Sequence, residues 1–356
     1  MPAEGSRTVK LLEELIGQMR AARASDARTA IFEVRVEAKR GGVALVGQTT
    51  DRGALDELAT RAAELPRPPR FVDRVIRLPD PALGPARYGL VRAALAPVLA
   101  EPRASASQLS QYVLGHRLDL LARSESWLRV RGEDGYIGWV HQGYVEVGEA
   151  EWAQAWERSE GGEPVVSLGA ELVDEAERAF ARLPWGARVI RDTPNRYRLP
   201  DGRRGSLGDG ELVEADRLRD RFPPMGESLT RTARRWIATP YLWGGVTPAG
   251  ADCSGFVQSI FWMHGLALPR DSDQQARVGV RIDAGQDFGA SRAGDLLFFA
   301  EGPERITHVA ISLGGPHIVH SALSNGGVEV NDLTGELELE HRLRDGFVEA
   351  RRVLPD

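Results

Sequence analysis

The only cysteine of the chain, Cys253, stands in the stretch GGVTPAGADCSGFVQSIF. The residues before it are rich in Gly and Pro, which oppose a helix. The residues after it repeat apolar side chains at the spacing of a buried helix face, at Phe256, Val257, Ile260 and Phe261. Cys253 therefore lies at or near a helix N-terminus, where unpaired N–H groups and the helix dipole favour negative charge. We expect the pKa of its thiol to be lowered there, which would make Cys253 a nucleophile rather than a buried apolar residue.

A thiolate nucleophile needs a base, usually a histidine, and a group that orients the base. The stretch THVAISL predicts a strand that has His308 at one end, and HIVHSA predicts the next strand after a Gly-Gly-Pro turn. If the two strands pair as a hairpin, His308 and His320 lie near each other, whereas the alternation of side chains turns His317 to the opposite face. A lone histidine on a strand is usually a packed or solvated residue. Two histidines that face the same side of a hairpin, downstream of a cysteine at a helix start, favour a catalytic role instead.

The elements that position these residues fall into four regions of an α+β multidomain chain. Residues 1–85 have the order helix, strand, strand, helix, strand, which resembles the small BON-type α/β module and favours a packing or adaptor role. Residues 86–150 and 151–222 each predict a small β-barrel from short strands and Asp-Gly turns. Residues 223–356 hold Cys253 and the histidines. Within the second barrel, the stretch ELVDEAERAFARL predicts an inserted helix.

The end of the first barrel, WLRVRGEDGYIGWVHQGYV, has a specific pattern of a Trp strand, an Asp-Gly turn and a Gly-Trp-Val strand. It resembles bacterial SH3-like domains, and residues 151–222 are interpreted as a second, degenerate copy. We expect Trp127 and Trp139 to be core residues. Tyr136 and His116 are the positions of the barrel that we expect to face a ligand.

Composition excludes several classes of function. A length of 356 residues predicts two to four domains, and a net charge of −6 gives no support to nucleic-acid binding. One cysteine excludes an intrachain disulfide and a Cys-rich zinc site, and we expect neither a metal nor a cofactor. No run of 18 apolar residues occurs, and the N-terminal stretch lacks the apolar segment of a secretory signal. We therefore expect no membrane span, a cytoplasmic location and a monomer.

Five blocks between residues 228 and 353 resemble the NlpC/p-sixty cysteine peptidases in family order: PYLWGGVTPAGADCSGFV, LPRDSDQQ, AGDLLFF, THVAISLGG and IVHSA. The resemblance implies a papain-like α+β fold, in which a helix that carries the cysteine packs on an antiparallel sheet that carries the histidines. It implies that Cys253 is the nucleophile, His308 the base and His320 the residue that orients the base. Tyr241 matches a tyrosine beside the family's cysteine, whose hydroxyl could assist the oxyanion.

Two SH3-like domains ahead of such a domain resemble the γ-D-glutamyl-L-diamino acid endopeptidases of cell-wall recycling. These enzymes cut peptidoglycan stem peptides after L-Ala-γ-D-Glu and require a free L-Ala amine. By the same resemblance, Asp252, Ser254 and Tyr136 match residues that hold the amine, and Ser272 matches a serine expected to contact D-Glu. Arg270 and Asp271, which precede Ser272, complete the candidate substrate contacts, since a guanidinium binds carboxylates and a carboxylate binds ammonium.

One position departs from this subgroup, because His116 stands where an acidic residue is usual. Recognition of the amine could instead fall to Glu101 or Asp119, or the specificity could differ. Two alternatives stay open: an amidase or acyltransferase of the same fold that acts on another γ-linked amide, and a non-catalytic protein that binds cell-wall peptides. A panel of γ-glutamyl and N-acylated substrates tests the first alternative, and the second predicts that Cys253 reacts with iodoacetamide no faster than a free thiol does.

Overall fold

The structure is a computed structural model that describes residues 2–39, 42–65, 68, 70–300, 302 and 305–355. Its first part, the N-terminal module, contains helices α1 (Pro2–Arg23) and α2 (Arg52–Ala63) and strands β1 (Phe32–Lys39), β2 (Gly42–Thr49) and β3 (Phe71–Arg77). The order along the chain is the expected αββαβ. Strand β2 pairs antiparallel with β1 and parallel with β3. Helix α2 begins at its cap Asp51, which accepts a hydrogen bond from the Ala54 amide, and buries Leu58 against the sheet.

The first barrel consists of seven strands: β4 (Tyr88–Val91), β5 (Leu95–Leu99), β6 (Gln108–Val113), β7 (Arg117–Ser124), β8 (Trp127–Gly132), β9 (Ile137–His141) and β10 (Val145–Gly148). They form one sheet in the order β10-β4-β7-β8-β9-β5-β6. The expectation that Trp127 and Trp139 are core residues is wrong, because both are only partly buried. Strand alternation instead turns Leu128, Val130 and Val140 inward, and the three are fully buried.

A second sheet follows helix α3 (Ala150–Glu157) and contains β11 (Glu163–Val173), β12 (Ala179–Leu183), β13 (Arg188–Thr193), β14 (Arg196–Arg198) and β15 (Arg204–Glu214). Strand β11 pairs with β12, β13 and β15, which curls the sheet into a barrel-like shape.

The helix predicted for ELVDEAERAFARL does not form. Its first residues end β11, its last residues form β12, and Asp174 closes the turn by accepting from the Ala176 and Arg178 amides. Leu172 and Leu183 are both buried in the barrel core. Burial of alternate residues and pairing with β15 therefore outweigh the helix propensity of the Glu- and Ala-rich stretch.

The C-terminal domain follows the short helix α4 (Leu218–Arg221). Its helices are α5 (Gly226–Arg234), α6 (Cys253–Met263), α7 (Ser272–Gln275) and α8 (Glu338–Asp345). Its strands are β16 (Val246–Thr247), β17 (Gly250–Ala251), β18 (Val280–Ile282), β19 (Leu296–Phe299), β20 (His308–Gly314), β21 (His317–Ala322), β22 (Gly327–Asp332) and β23 (Phe347–Arg352).

Six of these strands form an antiparallel sheet in the order β18-β23-β19-β20-β21-β22. Both faces of the sheet are covered. Strand β19 shows this directly, because Leu296 and Phe298 join the cluster that contains α5 and α6, whereas Leu297 and Phe299 join the cluster that contains α8. The predicted α+β arrangement, a cysteine helix packed on a histidine sheet, is what the structure has. No helix of the described ranges is both long and apolar enough to cross a membrane.

Candidate active site

Cys253 is the first residue of α6, and the local sequence explains why the helix begins there. Asp252 is the N-cap, and its carboxylate accepts from the amides of Gly255 at 2.7 Å and Gly244 at 2.8 Å. Gly255 is required because a Cβ atom at that position would lie 2.1 Å from the carbonyl oxygen of Gly245. The Gly-rich loop thus crosses closely over the first turn of the helix and holds the sulfur in place.

The environment of the thiol differs from the one expected at a helix start. Cys253 is only 8% exposed. Burial and the neighbouring Asp252 carboxylate raise the pKa of the Cys253 thiol to about 12, although the backbone amides of Val309 and Ser254 act in the opposite direction. The expected lowering of the thiol pKa is therefore wrong. A buried, neutral thiol also reacts slowly with iodoacetamide in an active enzyme, so slow alkylation does not indicate a non-catalytic protein.

The two histidines lie on adjacent strands with their rings in contact. His308 Nε2 is 2.7 Å from His320 Nδ1, and the ring centroids are 4.9 Å apart. His308 immediately precedes Val309, whose backbone amide hydrogen-bonds the Cys253 sulfur, so the start of β20 passes next to the thiol. His317 lies on the other face of β21, with 55% of its side chain exposed.

A third residue, which sequence reasoning missed, orients the pair. His320 is fully buried, and its Nε2 lies 2.9 Å from Asn331 Oδ1. Asn331 is held in turn by Asn325, whose Nδ2 donates to the same oxygen at 2.8 Å. The signal was present in the strand pattern: His320 pairs with Glu329 on β22, and Asn331 stands two residues further along the same face.

These partners assign the ring tautomers. Because Asn331 Oδ1 is an acceptor, His320 carries its proton on Nε2 and accepts at Nδ1. His308 therefore carries its proton on Nε2, which leaves Nδ1 as the atom that can take a proton from the thiol. Burial and the neighbouring His320 hold the pKa of His308 well below its ordinary value of 6.5, and burial lowers the pKa of His320 to about 4. Both rings are neutral at pH 7, as a general base must be.

The acid limb of the pH–activity profile is expected to reflect these lowered pKa values. If His308 is the general base, it must be neutral for activity. The value of kcat/KM should then stay constant as the pH falls past 6.5, and decrease only at the lower pH where the coupled His308–His320 pair takes up a proton. The profile of kcat/KM from pH 3 to 8 checks this. The exposed His317, changed to Gln, is the matched control and should leave the limb in place. A midpoint near pH 6.5 would contradict the assignment.

Asp252, Ser254 and Arg270 form a closed network under the helix start. Arg270 donates to both oxygens of Asp252, at 2.6 and 3.0 Å, to Ser254 Oγ at 2.8 Å and to Ser110 Oγ of the first barrel at 2.9 Å. The Arg270 side chain is 0% exposed and that of Asp252 8% exposed. These three residues, expected as substrate contacts, are thus engaged within the protein, where they hold α6 against the barrel.

Asp271 and Tyr136 meet at the boundary between the C-terminal domain and the first barrel. Tyr136 is buried, and its hydroxyl donates to Asp271 Oδ2 at 3.1 Å. The Asp271 side chain remains 26% exposed, so a ligand can reach it. Ser272, the first residue of α7, is buried. Tyr241 lies close to the cysteine segment, since its backbone is bridged to Ala251.

His116 is not brought to this group. Its ring lies 5.9 Å from that of Trp262, near the far end of α6, and its Nε2 is 3.2 Å from the Gly186 carbonyl of the second barrel. Burial and the nearby Arg188 lower the pKa of His116 to about 4. The other two candidates for the amine are paired elsewhere, Glu101 with Arg103 and Asp119 with Arg117. Of the barrel residues considered for the amine, only Tyr136 contacts the candidate substrate residues.

Two segments of the chain match known protein families. Residues 238–345 match the NlpC/P60 family, and residues 94–146 match the bacterial SH3 domain. A relative from Bacillus cereus (strain ATCC 10987 / NRS 248), named gamma-D-glutamyl-L-lysine dipeptidyl-peptidase, is 28% identical over 69% of this chain and 75% of its own length. A relative from Bacillus subtilis (strain 168) with the same name is 41% identical, over 30% of this chain and 36% of its own length.

Two solved structures share the fold. The crystal structure of an NlpC/P60 family protein from Bacillus cereus ATCC 10987 aligns with a TM-score of 0.62 and 24% identity, over 75% of this chain and 100% of that chain. An NlpC/P60 endopeptidase from Photobacterium damselae subsp. piscicida aligns with a TM-score of 0.56 and 15% identity, over 74% of this chain and 70% of that chain. At these identities the likeness shows the fold alone.

Proposed function

We propose that this protein hydrolyses the bond between γ-D-Glu and a diamino acid in peptidoglycan stem peptides. Its residues 238–345 match the NlpC/P60 family, and residues 94–146 match the bacterial SH3 domain. The diamino acid is diaminopimelate or lysine, and the peptide has a free N-terminal L-Ala. The observation that carries the proposal is the contact between Tyr136 of the barrel and the accessible carboxylate of Asp271. A carboxylate supported by a phenol can hold an ammonium group.

The name of the two Bacillus relatives supports the γ-D-glutamyl part of the proposal, since both are called gamma-D-glutamyl-L-lysine dipeptidyl-peptidases. Recognition of a free L-Ala amine suits released stem peptides, because the amine is blocked while the peptide is attached to muramic acid. The proposed role is therefore recycling of cell-wall peptides rather than cleavage of intact wall.

In the proposed mechanism, the neutral thiol of Cys253 gives its proton to His308 Nδ1 while the sulfur attacks the γ-carbonyl carbon of D-Glu. The His308 imidazolium then returns the proton to the nitrogen of the departing diamino acid. The C–N bond breaks and a thioester remains on Cys253. His308 next takes a proton from water, which attacks the thioester. The C–S bond breaks, L-Ala-γ-D-Glu is released, and the His308 imidazolium returns the proton to the Cys253 sulfur. Throughout, His320 and Asn331 hold the His308 ring, and we propose that the Tyr241 hydroxyl assists the oxyanion.

The substrate assignment is tested with four peptides: L-Ala-γ-D-Glu-L-Lys, L-Ala-γ-D-Glu-diaminopimelate and the N-acetyl form of each. We expect release of L-Ala-γ-D-Glu from both free peptides, and a kcat/KM at least about 100-fold lower for the acetylated forms, because the Asp271 carboxylate then faces a neutral amide in place of the ammonium that it would hold. Chromatography with mass detection measures the products. Equal cleavage of the acetylated forms would overturn recognition of the amine.

The absence of His116 from the group keeps a second candidate open, namely an amidase or acyltransferase of the same fold. His116 stands where an acidic residue is usual in the subgroup, but it contacts Trp262 and Gly186 rather than the candidate substrate residues. If none of the four peptides is cut, and a panel of other γ-glutamyl amides is cut or transferred, this second candidate replaces the first.

A further inference from the structure

The loop between α1 and β1 reaches from the N-terminal module to the candidate substrate site. Its Arg28 contacts three carboxylates. Nε and Nη2 donate to Asp26 at 2.8 Å each, Nη1 and Nη2 donate to Asp273 at 2.7 and 2.8 Å, and Nη1 donates to Asp271 at 2.8 Å. A guanidinium has five N–H groups, so these bonds use all of them. Arg28 thus has no donor left for a substrate and acts only on the residues around it.

The same loop holds both members of the Tyr136–Asp271 pair. The Arg28 carbonyl accepts from the amide of Ile137, the residue after Tyr136, at 2.7 Å. On the other side, Asp26 accepts from Gln274 Nε2 at 2.7 Å, and Gln274 Oε1 accepts from the Asp271 amide at 3.3 Å. The loop therefore lies between the first barrel and the C-terminal domain and is bonded to each.

These contacts also determine which oxygen of Asp271 can receive a ligand. Tyr136 Oη and Arg28 Nη1 both donate to Oδ2, so an incoming ammonium would be received by Oδ1. Three carboxylates surround one guanidinium, and the exposed Arg305 lies 3.7 Å from Asp273. Three carboxylates and two guanidinium groups leave this cluster with a net negative charge, which favours binding of an ammonium group.

We propose that Arg28 is a positioning residue for substrate binding, through which the N-terminal module holds Asp271 and Tyr136 in the arrangement that receives the free L-Ala amine. The module is then part of the specificity site and not only a packing domain. This inference rests on the proposed function, because it takes the amine as the ligand of Asp271.

The test compares Arg28→Ala and Arg28→Lys with Glu33→Ala in the full-length chain. Glu33 is the matched control, because it forms another contact of the module with the barrel, an ion pair with Arg129 at 2.6 Å, and does not touch the Asp271 cluster. We measure kcat and KM for L-Ala-γ-D-Glu-L-Lys and its N-acetyl form. Arg28→Ala should raise KM for the free peptide about tenfold or more while kcat changes less than about threefold, and the preference for the free amine should fall by a similar factor.

Arg28→Lys should raise KM and lower the preference for the free amine by at least half of the effect of Arg28→Ala, measured on a logarithmic scale. The reason is that an ammonium cannot bridge three carboxylates as a planar guanidinium does. If Arg28→Ala fails to fold, Arg28→Lys supplies the test. Glu33→Ala should keep the wild-type KM and preference. An unchanged preference in both Arg28 variants, or an equal effect of Glu33→Ala, would overturn the inference while the proposed function stands. If the wild type itself shows no preference for the free amine, the proposed function and the inference both fail.

Discussion

Replacement of Cys253 with Ala should abolish release of L-Ala-γ-D-Glu while the tripeptide still binds. In the proposed mechanism the thiol supplies the atom that attacks the carbonyl carbon, and no other cysteine exists in the chain to replace it. We expect kcat to fall by about 1,000-fold or more, whereas the Kd of L-Ala-γ-D-Glu-L-Lys should change less than about threefold. A product assay and calorimetric titration of the variant measure the two quantities.

The control for this prediction is His308→Gln, which keeps the thiol but removes the proposed base. It should lose kcat to a similar extent, because residues that act as one unit in catalysis are not additive, and the double variant should be no worse than either single one. If Cys253→Ala retained more than about one hundredth of the wild-type kcat, Cys253 could not be the nucleophile.

Replacement of Arg270 with Ala should lower the free energy of unfolding by about 3–5 kcal/mol. The guanidinium is fully buried and supplies two hydrogen bonds to Asp252, whose side chain is 8% exposed. Without Arg270 the carboxylate would stay buried without its counterion beside a thiol whose pKa it already raises. Urea unfolding followed by tryptophan fluorescence measures the loss.

Two further variants separate the buried pair from an ordinary ion pair. Arg178→Ala removes a surface pair with Asp174, in which the Arg178 side chain is 79% exposed, and should leave the free energy of unfolding almost unchanged. Asp252→Asn combined with Arg270→Ala should be more stable than Arg270→Ala alone, because the amide removes the uncompensated charge. Equal losses for Arg270→Ala and Arg178→Ala would show that burial of the pair has no energetic consequence.

The local features of the catalytic domain could be predicted because each depends on neighbours in the chain. The Gly- and Pro-rich loop followed by the i, i+4 apolar repeat predicted that a helix begins at or near Cys253, and α6 begins at this residue. Strand alternation predicted that His308 and His320 meet and that His317 faces away, and the rings lie 4.9 Å apart. The motif blocks placed these residues in the NlpC/P60 family, which residues 238–345 match.

Local patterns failed where tertiary pairing competes with them. The Glu- and Ala-rich stretch that spans the end of β11 and all of β12 has helix propensity, yet its leucines, Leu172 and Leu183, are buried inside the second barrel. In the first barrel, Trp127 and Trp139 are the largest apolar residues of β8 and β9. The inward positions of these strands nevertheless belong to aliphatic residues, Leu128, Val130 and Val140. Propensity and size are weak guides when pairing decides which face of a strand is buried.

By itself, the sequence determined the thiol, the two histidines and the elements that carry them, because these follow from periodicity and short motifs. Only the tertiary structure decided their electrostatics and their surroundings. It buries Cys253 beside Asp252, which raises the thiol pKa instead of lowering it. It also joins Arg28 to Asp271, 243 residues along the chain, and moves His116 away from the site. Burial and contacts between distant segments arise when domains pack together, and no local spacing of residues encodes them.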